Sequence, residues 1–459
     1  VQIPLLPLNH KKLKRKYSMT QLLPEQSTDS DINEENPKNQ MYQHFHQAKE
    51  AIQGVEAIDY FFAKEMINAL VIHDTVNQIC IANLNHLFLA LSASLRAGHS
   101  CLPLNEVADQ HWGNSYSRKY DQSKSDTVEE EKILSHRGFI FAPLAQLHTM
   151  LIKLKISEDD NQLLVYKNHN IYLRRYFQFE TDLEQAINAR LSQQCQFDNN
   201  AVANCIAELF PKESEKQPPE LDWQKIAVAN AINKSFSVIA GGPGTGKTYT
   251  VTKLLAALVL LHQHNVGSTN GELRIALVAP TGKAAQRLSE SIVDAVTGFS
   301  ELIAAEVLAA IPTQAQTIHR LLGVLPNSPN FRYQEDNLLP YDIILIDEVS
   351  MVDLPLMTRV FRALKPDAKV ILLGDADQLP SVAAGSVLAD IAPRPHGGFS
   401  AENNEYLCEV CQLDFEQLTT AFMHDKTYDN LPVFYLTFLV TSRRFVGQGG
   451  IVLFSNIVS

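Results

Sequence analysis

Gly241-Gly242-Pro243-Gly244-Thr245-Gly246-Lys247-Thr248 fit the spacing G-x-x-x-x-G-K-[ST]. That spacing suits phosphate. Glycines let the backbone wrap closely around a phosphate group, so that amide N–H groups point at its oxygens. The positive end of a following helix adds to that field. A lysine at position 247 reaches β- and γ-phosphates, and the Thr248 hydroxyl suits Mg²⁺. The expected chemistry is binding of a magnesium nucleoside triphosphate.

Two further groups belong to the same chemistry. The apolar run Asp342-Ile343-Ile344-Leu345-Ile346 leads into Asp347-Glu348. A carboxylate at 347 can hold Mg²⁺, and one at 348 can orient and deprotonate an attacking water. A later apolar run ends in Gly374-Asp375-Ala376-Asp377-Gln378-Leu379-Pro380. An amide at Gln378 can reach a γ-phosphate and sense its hydrolysis. Upstream, Gln224 carries an amide able to pair in bidentate fashion with an adenine edge.

Ala279-Pro280-Thr281-Gly282-Lys283-Ala284-Ala285 and Thr317-Ile318-His319-Arg320 carry small hydroxyls, backbone N–H groups and a lysine. These suit a grip on a sugar-phosphate backbone without base reading. His319 fits either a hydrogen-bonded structural role or a DNA contact. Arg443 and Arg444 fit either a solvated turn or an arginine brought in to stabilise phosphoryl charge.

These residues need elements that hold them. Phe236–Ala240 reads as a buried strand and Tyr249–Leu261 as the helix after the glycine turn. With Arg274–Ala279, Ile343–Ile346 and Val370–Leu373, strands alternate with helices, which predicts an α/β parallel sheet covered on both faces. Ligands of such sheets bind at the carboxyl ends of the strands, where each polar motif falls.

The chain of 459 residues has room for two to four domains, and its formal net charge of −12 argues against polyanion binding by bulk charge. A narrow basic channel for single-stranded nucleic acid remains compatible with it. No apolar stretch is long enough to span a bilayer and no signal peptide is evident, so a cytoplasmic location without membrane contact is expected. Six scattered cysteines form no disulfide framework, and Cys408-x-x-Cys411 reads as two ordinary thiols.

Residues 1–41 read as a disordered tail with a basic run at Lys11–Lys16, and the natural start is either Val1 or Met19. Residues 42–211 read as a mainly helical N-terminal domain for partner docking, with apolar residues at helical spacing in Val55–Val71 and Thr75–Ala97 and a polar break at Ser115–Glu131. Residues 212–220 read as a linker. Residues 221–395 form the expected ATPase domain, and 396–459 a divergent segment.

Taken in order, GGPGTGKT, APTGKAAQRL, QTIHRLLG, IDEVSMVDLPLM and GDADQLPSVAAGSVLADI resemble the RecD family of superfamily-one DNA helicases. Leu95–Leu104 and Tyr172–Tyr176 resemble N-terminal stretches of that family. The resemblance covers roughly residues 45–395 and a patch at 440–455. It implies a RecA-like P-loop NTPase sheet, ATP and Mg²⁺ as cofactors, and 5′ to 3′ movement on single-stranded DNA beside RecB and RecC in double-strand break repair and recombination. By the same resemblance, Gln224 reads adenine, Gly241–Thr248 cradle the phosphates, Thr248 and Asp347 hold the metal, and Glu348 is the base. Gln378 couples hydrolysis to movement, Arg444 contacts the γ-phosphate, and Thr281, Lys283, Thr317 and His319 line the DNA track. The nuclease of the complex belongs to RecB. Residues 396–459 depart from the pattern, with an incomplete second RecA-like domain expected there. The alternatives are a non-motor P-loop ATPase or an inert partner-binding remnant.

Overall fold

The computed structural model describes residues 42–70, 78–119, 131–154, 156, 163–193, 197–211, 221–265, 272–378, 385, 387–393, 396–421 and 433–439. The expected tail 1–41, the linker 212–220, Leu379-Pro380, Arg444 and the patch at 440–455 lie outside these residues. The chain divides into two compact units, with the division falling between Phe179 and Glu180.

The N-terminal unit holds helices α1 (Phe45–Ala51), α2 (Ala57–Leu70), α3 (Gln78–Arg96), α4 (Leu104–Val107) and α5 (Leu144–Lys153). Its strands are β1 (Cys101–Pro103), β2 (His111–Trp112), β3 (Ser115–Lys119), β4 (Glu131–His136), β5 (Phe139–Ile140), β6 (Leu164–Lys167) and β7 (Asn170–Leu173). Apolar residues at helical spacing bring Ala63, Met66 and Ile67 of α2 into one core with Leu84, Leu87, Phe88 and Leu91 of α3. At their edge, buried Asp59 accepts from Arg96 Nη2 at 2.9 Å and from the Ser92 hydroxyl at 2.7 Å.

This unit is less helical than the sequence predicts. β1, β7 and β6 form an antiparallel sheet, and β3 pairs with β4. The polar break expected at Ser115 contributes to that pairing, since β3 pairs Tyr116 with Leu134 and Arg118 with Lys132. Strands of three to six residues are too short to set a clear period against the helical pattern around them.

His86 has a consequence for acid stability. It is buried and stacks on Phe139 with centroids 3.6 Å apart. Its Nδ1 donates to Ala82 O at 2.7 Å, which leaves Nε2 to accept from the Tyr42 hydroxyl at 3.0 Å. The neutral ring satisfies both bonds. Burial lowers its pKa from 6.5 to about 4, against a smaller upward pull from Ala82 O. The unfolded chain therefore takes up a proton that the folded unit refuses. Stability is full above pH 6.5 and falls as pH drops from 6.5 toward 4, by at most about 3 kcal/mol. Denaturant unfolding followed by Trp112 fluorescence in a Trp223→Phe background is expected to show this loss, and His86→Phe is expected to remove most of it. An unchanged acid slope in His86→Phe would assign the effect elsewhere.

The second unit begins within α6 (Arg174–Leu191) and continues through α7 (Asn199–Leu209), α8 (Trp223–Ile232), β8 (Phe236–Gly241), α9 (Lys247–Asn265), β9 (Ile275–Ala279), α10 (Gly282–Gly298) and α11 (Ala305–Ala309). It then runs through β10 (Ala315–Thr317), α12 (Ile318–Leu322), β11 (Ile343–Ile346), a 3-10 turn (Val349–Met351), α13 (Leu354–Arg362) and β12 (Lys369–Gly374). The last described elements are α14 (Val387–Ile391), α15 (Ala401–Cys411), α16 (Phe415–Thr420) and β13 (Leu436–Leu439).

Among the described residues, six strands form one parallel sheet in the order β10-β9-β11-β12-β8-β13. Alternate residues such as Ile343 and Leu345 enter a core shared with α7 to α11 and α15, and the intervening Ile344 and Ile346 are equally buried. Burial on both faces is what near-continuous apolar strands require. The connection after β8 runs to one side of the sheet, to β9, and the one after β12 crosses β8 to place β13 on the other side, so the order reverses at β8, and ligands of such sheets bind at the carboxyl end of that point.

Two expected boundaries move. Helix α7, placed by sequence in the N-terminal domain, sends Val202, Cys205, Ile206 and Leu209 into the core of the second unit. The expected start of a second RecA-like domain at 449–451 lies outside the described residues, and the described part of 396–459 belongs with the first sheet. Its β13 is the sixth strand of the first sheet, with Leu436 opposite Val238 and Leu439 opposite Gly241. A buried polar chain fastens it: Asn403 Nδ2 donates to Asn230 Oδ1 at 3.0 Å, and Asn230 Nδ2 to the Thr437 hydroxyl at 3.0 Å. Cys411 is buried in the same core, which pushes its thiol up to about 12, and Cys408 is partly exposed on the same helix. No helix of the described residues is long and apolar enough to cross a membrane.

Candidate nucleotide site

The glycine turn joins the end of β8 to the first residue of α9, Lys247. Gly244 and Gly246 both adopt φ +81°, a region other residues enter at a penalty. A Cβ at Gly241 would lie 2.7 Å from the Thr245 hydroxyl and 3.1 Å from Leu439 Cβ, so β13 presses on the base of the loop. The Thr245 hydroxyl donates to Gly242 O at 3.0 Å and braces the turn. Lys247 Nζ donates to Gly241 O at 2.6 Å and Gly242 O at 3.1 Å, which holds the ammonium over the loop. Pro243 is exposed, and Thr248 is half-buried on the first turn of α9.

Gln224 sits in the first turn of α8, capped by the Asp222 side chain accepting from Gln224 N and Lys225 N. Its amide is turned against the loop. Nε2 donates to Thr245 O at 3.1 Å, and a Cβ at Gly246 would come within 2.4 Å of that nitrogen. One of the two Nε2 hydrogens is engaged in this way, which leaves the other, with Oε1, for the bidentate pairing that the sequence predicts. Gln224 Oε1 is buried and makes no hydrogen bond. That is an acceptor suited to an amine such as the one on adenine.

Asp347 continues the β11 ladder, its N–H donating to Val278 O at 2.9 Å, and its Oδ1 accepts from Glu348 N at 2.9 Å. Burial raises its carboxyl to about 6, with a further upward push from Glu348. The Glu348 amide and the Lys247 ammonium pull it down. The parallel ladder β8-β12-β11 brings the glycine turn and the acidic strand end to the same carboxyl edge of the sheet. A buried carboxylate beside a threonine hydroxyl is an oxygen donor set that fits Mg²⁺. Glu348 lies at φ 52° and ψ 44°, a left-handed conformation that stores about 1 kcal/mol or more of backbone strain. Strain at a residue expected to do chemistry is a mark of functional positioning.

Gln378 follows β12. Its N–H donates to Asp375 O at 3.2 Å, and its Oε1 accepts from the Ser350 hydroxyl at 3.2 Å. Sequence spacing does not single out Ser350 or the buried Asp375, whose Oδ1 accepts from Asp377 N at 3.1 Å. A hydroxyl amid the apolar Val349, Met351 and Val352 is the one signal that marks Ser350.

The expected DNA-contacting residues share the sheet's carboxyl edge. Thr281 caps α10, its hydroxyl accepting from Ala284 N, and Thr317 caps α12, accepting from Arg320 N. Thr317 stands opposite Ala279 in the ladder, which brings the two caps to adjacent strand ends. Each hydroxyl keeps its own proton to donate. Lys283 and His319 are exposed, and His319 packs edge-on against Phe331 with centroids 5.9 Å apart.

Comparison with known proteins agrees with this geometry. A family profile described as an AAA domain matches residues 224–384. RecBCD enzyme subunit RecD of Haemophilus influenzae is 34% identical over 410 residues, covering 87% of this chain and 60% of that protein. The subunit of the same name from Mycobacterium tuberculosis is 38% identical over 252 residues, 55% of this chain and 40% of that protein. The one from Mycolicibacterium smegmatis is 45% identical over 169 residues, 37% of this chain and 29% of that protein. The chain thus spans three fifths or less of the length of these relatives. The glycine turn and the acidic strand end share the carboxyl edge of one α/β RecA-like sheet, and through both units the chain is similar to RecD subunits.

Proposed function

We propose that this chain is the ATP-hydrolysing part of a DNA helicase subunit of the RecBCD type. It moves 5′ to 3′ on single-stranded DNA in double-strand break repair and recombination, in the cytoplasm, with RecB and RecC as partners and the N-terminal unit as the docking part. The observation that supports this reading is the strand order, in which the end of β8, with its glycine turn, and the end of β11, with its acids, lie on one carboxyl edge with β12 between them. The relatives' names supply the substrate and partners.

At that edge the loop amides and Lys247 hold the β- and γ-phosphates of ATP. Thr248 and Asp347 would hold Mg²⁺, which when bound withdraws charge from the phosphoryl oxygens. Gln224 keeps the loop closed against Thr245 and offers Oε1 to the adenine amine. Glu348, in its strained backbone, takes the proton of the attacking water. Thr281, Lys283, Thr317 and His319 offer donors to the backbone of the DNA strand at the same sheet edge.

The test is ATP turnover with and without single-stranded DNA, on this chain and on one extended to the relatives' length. Stimulation of roughly tenfold or more by DNA is expected of a motor, since positioning by a second ligand can change turnover by that order. Turnover indifferent to DNA in both chains would leave a non-motor ATPase. Absence of turnover in both would remove the assignment.

A further inference from the structure

We propose that Ser350 is a positioning residue that fixes which end of the Gln378 amide faces the nucleotide. The proposal rests on the nucleotide-hydrolysing reading above and adds a residue to it. A glutamine amide has an accepting end and a donating end, and rotation by half a turn exchanges them. Next to a phosphate anion or an attacking water's lone pair the donating end is required, because a carbonyl oxygen would meet like charge there.

Ser350 is buried, in the 3-10 turn that follows Glu348. Its hydroxyl donates to Gln378 Oε1 at 3.2 Å, so the accepting end is occupied from the protein side and Nε2 is the end left to donate. The two turns also pack closely at the backbone. Gln378 N is tied to Asp375 O, and a Cβ at Gly374 would lie 2.5 Å from Leu388 Cδ2 and 3.6 Å from the N atoms of Val349 and Ser350. Gly374 therefore lets the Ser350 turn sit directly on the strand end that launches Gln378. Because Ser350 is two residues from Glu348, movement of the base and movement of the amide are linked through one hydroxyl.

The experiment is a double-mutant cycle on this chain: Ser350→Ala, Gln378→Ala and the pair, with kcat and KM for ATP read separately at saturating single-stranded DNA. Ser350→Ala is expected to lower kcat roughly tenfold with KM within about twofold, as loss of one orienting hydrogen bond allows. In the Gln378→Ala background the same change is expected to do almost nothing. Ser350→Thr, which keeps the hydroxyl, is expected to restore most of kcat. Full additivity in the cycle would overturn the proposal, since it would mean Ser350 acts on packing alone. If Ser350→Ala fails to fold, Ser350→Cys, a near-isostere with a weak donor, enters the same cycle with the same criterion. If this chain alone is inactive the cycle is run on the chain extended to the relatives' length, and absence of ATP hydrolysis in both wild-type chains defeats the nucleotide reading instead, which keeps the two failures apart.

Discussion

Lys247→Ala is expected to abolish ATP hydrolysis, with a loss of about a thousandfold or more, while leaving the chain folded. The size follows from where charge develops. The Lys247 ammonium is held over the loop by Gly241 O and Gly242 O and lies close enough to Asp347 to lower its carboxyl. It is thus held at the glycine turn, on the sheet edge that also carries the acidic strand end, where γ-phosphate charge would build. The fold depends on it little, since its side chain is half-buried and its hydrogen bonds go to the loop itself. Phosphate release and thermal melting of the same preparation check both halves. Turnover at the wild-type rate in a folded Lys247→Ala chain would place the chemistry elsewhere.

Glu348→Gln is expected to bind ATP almost normally and to hydrolyse it about 10²- to 10⁴-fold more slowly, the range for losing a general base. Glutamine keeps the length and shape of the side chain and tolerates the φ of 52° as poorly as glutamate does, so backbone strain cancels in the comparison. The charge at Asp347 changes as well. Glu348 pushes the Asp347 carboxyl up, and a neutral amide at 348 relieves that push, so the metal-holding group is ionised more readily in the variant. Nucleotide affinity measured with Mg²⁺ is therefore expected to hold or rise while kcat falls. A parallel fall in affinity and rate would mean that Glu348 holds ligand and is not the base.

Much of the site was legible because its groups end apolar runs. Ile343–Ile346 stops at Asp347, and Phe236–Ala240 stops at the glycine turn, so composition and position say together where a strand's carboxyl end lies. What stayed hidden depends on pairing across the chain. Leu436–Leu439 sits in an apolar stretch with no polar motif behind it, and nothing local says that its partner is Val238. The same holds for Ser350, whose meaning comes from Gln378 across two turns. For Gln224 the sequence offers an amide and no geometry. Only the fold reveals that Nε2 is engaged by Thr245 O.

The strand order also bears on how this protein is made. β8 is the first of the six strands to leave the ribosome, yet both of its neighbours are synthesised after the other three. Phe236 waits for Val370, and Val238 waits for Leu436 on its other side. Until then its backbone groups stay unpaired and its apolar side chains uncovered, a condition that invites aggregation during slow, long-range assembly. Nascent chains released before residue 439 would thus lack a side wall for the very strand that leads into the glycine turn, and their rescue by chaperones should depend on whether that last strand has emerged.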